Sequence, residues 1–138
     1  MKIGKLTDTY SATGQIEVSD IPQIAALGFT DVICNRPDGE VGAAQSCQSL
    51  AEAAKAAGLG FHVNPVSMKG PTSDNIAAQA DILATTSGPV LAYCGSGMRA
   101  SVCWSLANAG KMPTDEILKA TASAGYNLEG LRAKLDAA

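Results

Sequence analysis

The sequence predicts an α/β domain in three layers, a mostly parallel sheet of four to five strands with helices on both faces. Three observations carry this. Short β-rich runs alternate with Ala-rich helical runs along the chain. The later strand runs are apolar without an in–out alternation, as expected of strands covered on both sides. No linker, repeat or low-complexity stretch divides residues 1–138, a length that buries one core without disulfide or metal staples.

The elements follow in order. Leu6 to Ile16 holds Tyr10 and a turn at Thr13-Gly14, and reads as a hairpin or edge strand. Ser19 is placed to cap a short helix, Asp20 to Leu27, that Gly28 stops. Thr30-Asp31-Val32-Ile33-Cys34-Asn35 is a buried strand closed by Pro37 and Gly39. Residues 43 to 57 form a helix with Leu50, Ala54 and Ala57 on one stripe, ended by Gly58. Phe61 to Val66 is the next strand, and Ser73 caps a helix from Asp74 to Ala84. Strand Val90 to Tyr93 leads through a cysteine loop into a helix from Arg99 to Ala109. Thr114 then caps Asp115 to Ser123, and Asn127 caps Leu128 to Ala137.

Composition excludes several function classes. Ten Lys and Arg against thirteen Asp and Glu give a net charge of −3, with no basic run, which argues against a nucleic-acid partner. No apolar stretch approaches the ~20 residues of a membrane span, and the N-terminus lacks a signal-type apolar region. Cys34, Cys47, Cys94 and Cys103 lack zinc or redox spacing, and His62 is the only histidine, so a metal site and a Ser-His-Asp relay are not expected. The expected setting is a reducing cytoplasm with free thiols and no cofactor. The Ala-rich helices leave self-association open.

Ligands on such sheets bind beyond the carboxyl ends of the strands. Three loops should meet there: Asn35-Arg36-Pro37-Asp38, Ser67-Met68-Lys69, and Cys94-Gly95-Ser96-Gly97-Met98-Arg99. The last is the richest in chemistry. A cysteine between a buried strand and a helix N-terminus faces backbone N–H groups and the positive end of the helix dipole. Gly95 and Gly97 permit positive φ and close backbone approach, Ser96 adds a small hydroxyl, and Arg99 offers a planar fork to an oxyanion. Such surroundings bring a cysteine pKa from about 8.5 into the range ~3.5–7.5, so Cys94 is expected to be largely thiolate near neutrality. The loop thus predicts an enzyme with Cys94 as nucleophile, Arg99 as catalytic partner, and Gly95, Ser96, Gly97, Met98 and Arg36 as anion-binding residues.

Other residues have plainer expected roles. Arg36 either contacts the anion or pairs with Asp38 or Glu40. Lys69 is a solvated loop lysine and Asp74 a first-turn helix charge. Cys34 and Cys103 pack in the core, with a resolving role for either only a minor option, and Cys47 within its helix points to nothing specific. His62, Trp104 and Tyr126 are structural.

Three stretches resemble a known family. Ala25-Ala26-Leu27-Gly28-Phe29, followed by Val32-Ile33-Cys34-Asn35-Arg36-Pro37-Asp38-Gly39-Glu40, is similar to the first half of the beta-lactamase-hydrolase-like, phosphatase-like domain family. Pro89 to Ser101 resembles that family's Cys-Arg-Ser-Gly-x-Arg-Ser loop, and Gly125-Tyr126-Asn127-Leu128 its C-terminal turn. The resemblance implies a cysteine-phosphatase fold related to the dual-specificity phosphatases. Members include phosphatases and proteins of sulfide and persulfide metabolism.

The loop departs from the His-Cys-x5-Arg-Ser/Thr pattern of cysteine phosphatases. Tyr93 replaces the histidine, four residues separate Cys94 from Arg99, and Ala100 precedes Ser101. Val66 to Pro71, where a leaving-group acid belongs, has no carboxylate, and losing general acid catalysis forfeits roughly 10²–10⁴ in rate. The shorter loop resembles rhodanese-type loops. The sequence therefore favours a sulfurtransferase, moving sulfane sulfur from a small anionic donor such as thiosulfate or a persulfide to a thiol acceptor through a Cys94 persulfide. A phosphatase acting through a Cys94 phosphocysteine is the alternative, and a non-catalytic anion-binding module the third reading.

Overall fold

The computed structural model describes residues 1–138. Its strands are β1 (Gly4–Thr7), β2 (Tyr10–Thr13), β3 (Asp31–Cys34), β4 (Gly60–Val63) and β5 (Val90–Tyr93). They form one sheet in the order β1-β2-β5-β3-β4, with β1 antiparallel to β2 and every other pair parallel. Central β5 and β3 have a strand on each side and a helical layer on each face, so every residue of β5 is buried, and the Tyr93 hydroxyl is left there without a hydrogen-bond partner.

Six helices cover the sheet: α1 (Ile21–Ala26), α2 (Cys47–Ala56), α3 (Ser73–Thr85), α4 (Met98–Ala107), α5 (Thr114–Ser123) and α6 (Arg132–Asp136). Strand periodicity splits the core in two. Val90 and Ala92 of β5 and Ile33 of β3 pack with Trp104, Ile117, Leu118 and Leu135 under α3 to α6. Leu91, Tyr93, Val32 and Cys34 point the other way, against Ile21, Ile24, Leu50 and Ala54 of α1 and α2. Each fully buried Ile or Leu contributes roughly 1.5–3 kcal/mol, so both layers hold the sheet in register. No helix is long and apolar enough to cross a membrane.

The fold class is as the sequence predicts, and the corrections concern element ends. The first hairpin turns at Asp8-Thr9, while Thr13-Gly14 ends β2, where a Cβ on Gly14 would meet the Gly95 carbonyl at 3.0 Å. Ser19 lies inside a single 3-10 turn, Val18–Asp20, closed by the Glu17 N–H donating to Asp20 Oδ2 at 2.8 Å. The predicted helix over 43–57 is two pieces, a 3-10 turn at Ala43–Gln45 and then α2, whose Ser46 hydroxyl accepts the Ser49 N–H. Thr72, with extended backbone, caps α3 in place of Ser73. Thr114 is the first residue of α5, behind Pro113, and Asn127 holds the Glu129 N–H ahead of a 3-10 turn and a short α6. In each case a neighbouring polar residue, or none, takes the extended conformation that a cap needs.

A buried polar network ties the site-bearing end of the sheet together. Gln79 of α3 is fully buried; its Oε1 accepts from Asn35 Nδ2 at 2.9 Å and Asn64 Nδ2 at 2.8 Å. Its Nε2 donates to Asn35 Oδ1 and to the Tyr10 hydroxyl, both at 3.0 Å, and that hydroxyl donates to the Ala100 carbonyl of α4 at 2.8 Å. Gln79→Leu leaves several of these groups unsatisfied and is expected to lower stability by about 3 kcal/mol, read from the urea midpoint at unchanged slope.

Candidate active site

Cys94 is the first residue after β5, and α4 begins four residues later at Met98. The loop bends back because Gly97 adopts φ +90°, a left-handed conformation disfavoured for any residue with a Cβ. That bend aims the Gly97 N–H at Cys94 Sγ, 3.1 Å away. A Cβ on Gly97 would lie 2.0 Å from the Tyr126 hydroxyl and 3.3 Å from the Thr13 carbonyl carbon. Gly97→Ala is therefore expected to cost about 1–3 kcal/mol in thermal unfolding and to displace the N–H from the sulfur. Gly95 does not share the positive φ expected of it; its service is space, since a Cβ there would press on Arg99 Nη2 at 3.3 Å.

Arg99 has five N–H donors, and three are committed. Nη1 donates to Glu40 Oε2 at 2.9 Å and to the Val66 carbonyl at 2.7 Å, while Nη2 donates to Glu40 Oε1 at 2.8 Å. Nε–H and the second Nη2–H remain, and in a guanidinium these two form one edge suited to bidentate contact with an oxyanion. Glu40 also accepts from Arg36 Nε at 3.1 Å, and Arg36 Nη1 reaches Gln15 Oε1 at 3.2 Å. The Arg99 contact, with help from Arg36, holds the Glu40 carboxyl below its ordinary range against the opposing effect of burial.

Arg36, Glu40, Met68, Gly95, Ser96, Met98 and Arg99 line an open cleft of about 470 Å³. Five of the seven site residues the sequence singles out, Arg36, Gly95, Ser96, Met98 and Arg99, line it, while Gly97 and Cys94 are buried. Ser96 Oγ accepts the Met98 N–H at 3.4 Å and keeps its O–H as a donor, while the Ser96 carbonyl accepts from the Tyr126 hydroxyl at 3.1 Å. Ser101 is turned away from the thiol, donating to the Gly97 carbonyl at 2.8 Å. Lys69 and Asp74 are exposed, the latter in the first turn of α3.

Glu40 is the residue that sequence reasoning undervalued, since it entered only as a brace for Arg36. The signal available was its place in a strand-end loop carrying Arg36, on a sheet whose third loop carried a second arginine. Cys34 and Cys103 are both buried, as expected. Cys34 faces α1 and α2, whereas Cys94 lies in the opposite core layer, an arrangement that disfavours Cys34 as a resolving thiol for Cys94. Cys103 is buried, and burial pushes its thiol up to about 12. His62 pairs with Asp31 at 2.8 Å on β3 and β4, and Trp104 packs on Tyr10 with ring centroids 6.0 Å apart.

A mostly parallel sheet with a cysteine loop at its centre, an arginine over it and helices on both faces defines a cysteine-phosphatase-like domain. Solved structures match it throughout. A provisionally assigned phosphatase from Neisseria meningitidis Z2491 is 35% identical with a TM-score of 0.85, covering 99% of this chain and 98% of that one. Kinase associated phosphatase, at 13% identity, shares the fold with a TM-score of 0.70 over 99% of this chain and 96% of its own.

The chain belongs to the family described as beta-lactamase hydrolase-like protein, phosphatase-like domain, whose model matches residues 2–111. A beta-lactamase hydrolase-like protein of Agrobacterium fabrum (strain C58) is 32% identical over 130 residues. Those residues cover 93% of this chain and 30% of the longer relative.

Proposed function

We propose that the chain is a cysteine-dependent phosphatase that hydrolyses phosphoric monoesters through a Cys94 phosphocysteine. The observation that carries this is the one free edge of Arg99, held by Glu40 and Val66 above a cysteine whose sulfur already receives the Gly97 N–H. The 35% identity to a provisionally assigned phosphatase over the whole domain supports it. Sulfur transfer, to which the loop length leads, draws no support from these relatives.

In the proposed reaction the Cys94 thiolate attacks phosphorus in line. An S–P bond forms, the P–O bond to the leaving group breaks, and Arg99 Nε and Nη2 hold two of the equatorial oxygens. Water then attacks phosphorus, breaks the S–P bond and restores the thiolate. No side-chain acid is free to protonate the leaving oxygen. Glu40 is bound by two arginines, Asp38 accepts the Cys47 N–H at 2.8 Å, and residues 66–71 have no carboxylate. Leaving groups that depart as stable anions should therefore be preferred.

The test compares an aryl phosphate, an alkyl phosphate, and thiosulfate with cyanide, each with wild type and Cys94→Ser. The expected result is Cys94-dependent release of phosphate, with kcat/KM for the aryl ester greater by roughly 10²-fold or more. Cys94-dependent thiocyanate formation with neither phosphate ester turned over would overturn the phosphatase reading in favour of sulfur transfer.

A further inference from the structure

We infer that Cys34 and Cys47 form a second reactive site, a dithiol that a hydroperoxide converts to a disulfide closing residues 34–47 into a ring. The observation is geometric. The two sulfurs lie 3.1 Å apart, in the core layer opposite Cys94, with the buried, unpartnered Tyr93 hydroxyl beside Cys34. Cys34 ends β3 and Cys47 opens α2, so the pair joins a strand end to a helix start across a loop.

The two thiols differ in access. Cys34 is 2% exposed, whereas Cys47 is half-buried at the protein surface. Cys47 is therefore the sulfur an oxidant meets, although burial, with Cys34 and Asp38 beside it, holds its thiol well above the ordinary range, so the step runs through a small thiolate fraction and is slow. Its thiolate attacks the peroxide oxygen, the O–O bond breaks, and Cys47 sulfenic acid and an alcohol, or water from hydrogen peroxide, are formed. Cys34 then attacks the sulfenic sulfur, the S–S bond forms, and the hydroxyl leaves as water. Two thiols lose two electrons and two protons, and the peroxide takes up both. A dithiol reductant reverses the change.

The ring contains Arg36 and Glu40, the residues that position Arg99. In the reduced state Cys34 Sγ donates to the Arg36 carbonyl at 3.2 Å. Disulfide formation removes that donor and draws the sulfurs to about 2.05 Å, fixing both ends of the loop. The bond also removes loop-closure freedom from the unfolded chain.

The sequence offers a clean readout. Cleavage after glutamate places Cys34 in fragment 18–40, Cys47 in 41–52, and Cys94 with Cys103 in 53–116. The 138-residue Cys94→Ser chain treated with hydrogen peroxide is expected to lose about 2 Da, to keep one of its three thiols, and to yield a dithiothreitol-sensitive link between 18–40 and 41–52. Its Tm should rise by about 5 °C, and amide exchange across residues 35–46 should slow. Cys47→Ala should abolish the link. Retention of all three thiols, a link from either fragment to 53–116, or separate sulfinic acids on Cys34 and Cys47 would each overturn the inference. None of these readouts depends on phosphatase turnover.

Discussion

Cys94→Ser is expected to abolish turnover of an aryl phosphate, with kcat reduced by at least ~10⁴-fold. A serine hydroxyl is far less acidic than a thiol, and no histidine or carboxylate stands beside position 94 to take its proton; His62 is engaged with Asp31. The anion site survives the change, because Arg99 is held by Glu40 and Val66 and the loop bend by Gly97. Inorganic phosphate should thus bind the variant within about threefold of wild type, measured by calorimetry. Turnover above a hundredth of wild type would remove Cys94 as the nucleophile.

Glu40→Gln is the second large effect. The carboxylate takes two bonds from Arg99 and one from Arg36, and charge-assisted bonds of this kind contribute about 1.5–3 kcal/mol. The amide keeps the shape, loses the charge, and leaves two neighbouring guanidiniums without their shared anion. A loosened Arg99 fork lowers kcat by roughly 10–100-fold, while the added positive character keeps KM from rising. A raised KM at unchanged kcat would assign Glu40 to binding alone.

The acid dependence has a definite sign. Because the folded carboxyl is held below its ordinary value, the clamp is complete above the ordinary carboxylate range and is lost as pH falls through the lowered value. The Tm difference between wild type and Glu40→Gln is therefore expected in full at neutral pH and closes in acid.

What the sequence made legible was local. Strand Val90–Tyr93, the cysteine loop and the following helix are contiguous, and each step is dictated by a burial pattern, a glycine or a helix start. The phosphatase-like layering could be inferred because β3 and β5 carry residues for two faces at once. The counter-ion of Arg99 was not legible, since Glu40 lies 59 residues away and only the sheet order brings them together. Nor was the Cys34–Cys47 contact. A helix drawn from residue 43 puts Cys47 in its second turn, whereas the Ser46 cap makes it the first helical residue, facing the end of β3. Loop length was legible but not decisive: four residues between Cys94 and Arg99 pointed to sulfur chemistry, while the relatives of the whole domain are phosphatase-like.

Tyr93 and Cys94 are adjacent in sequence and belong to opposite core layers. An insertion or deletion within β5 would exchange those layers, burying the Cys94 thiol against α1 and α2 and turning a tyrosine toward α4. Beyond Cys94 the constraint ends, because the backbone has left the sheet and Gly97 absorbs the reversal. Evolution can therefore lengthen or shorten this loop, and retune which electrophile its cysteine meets, without renegotiating the strand that delivers it.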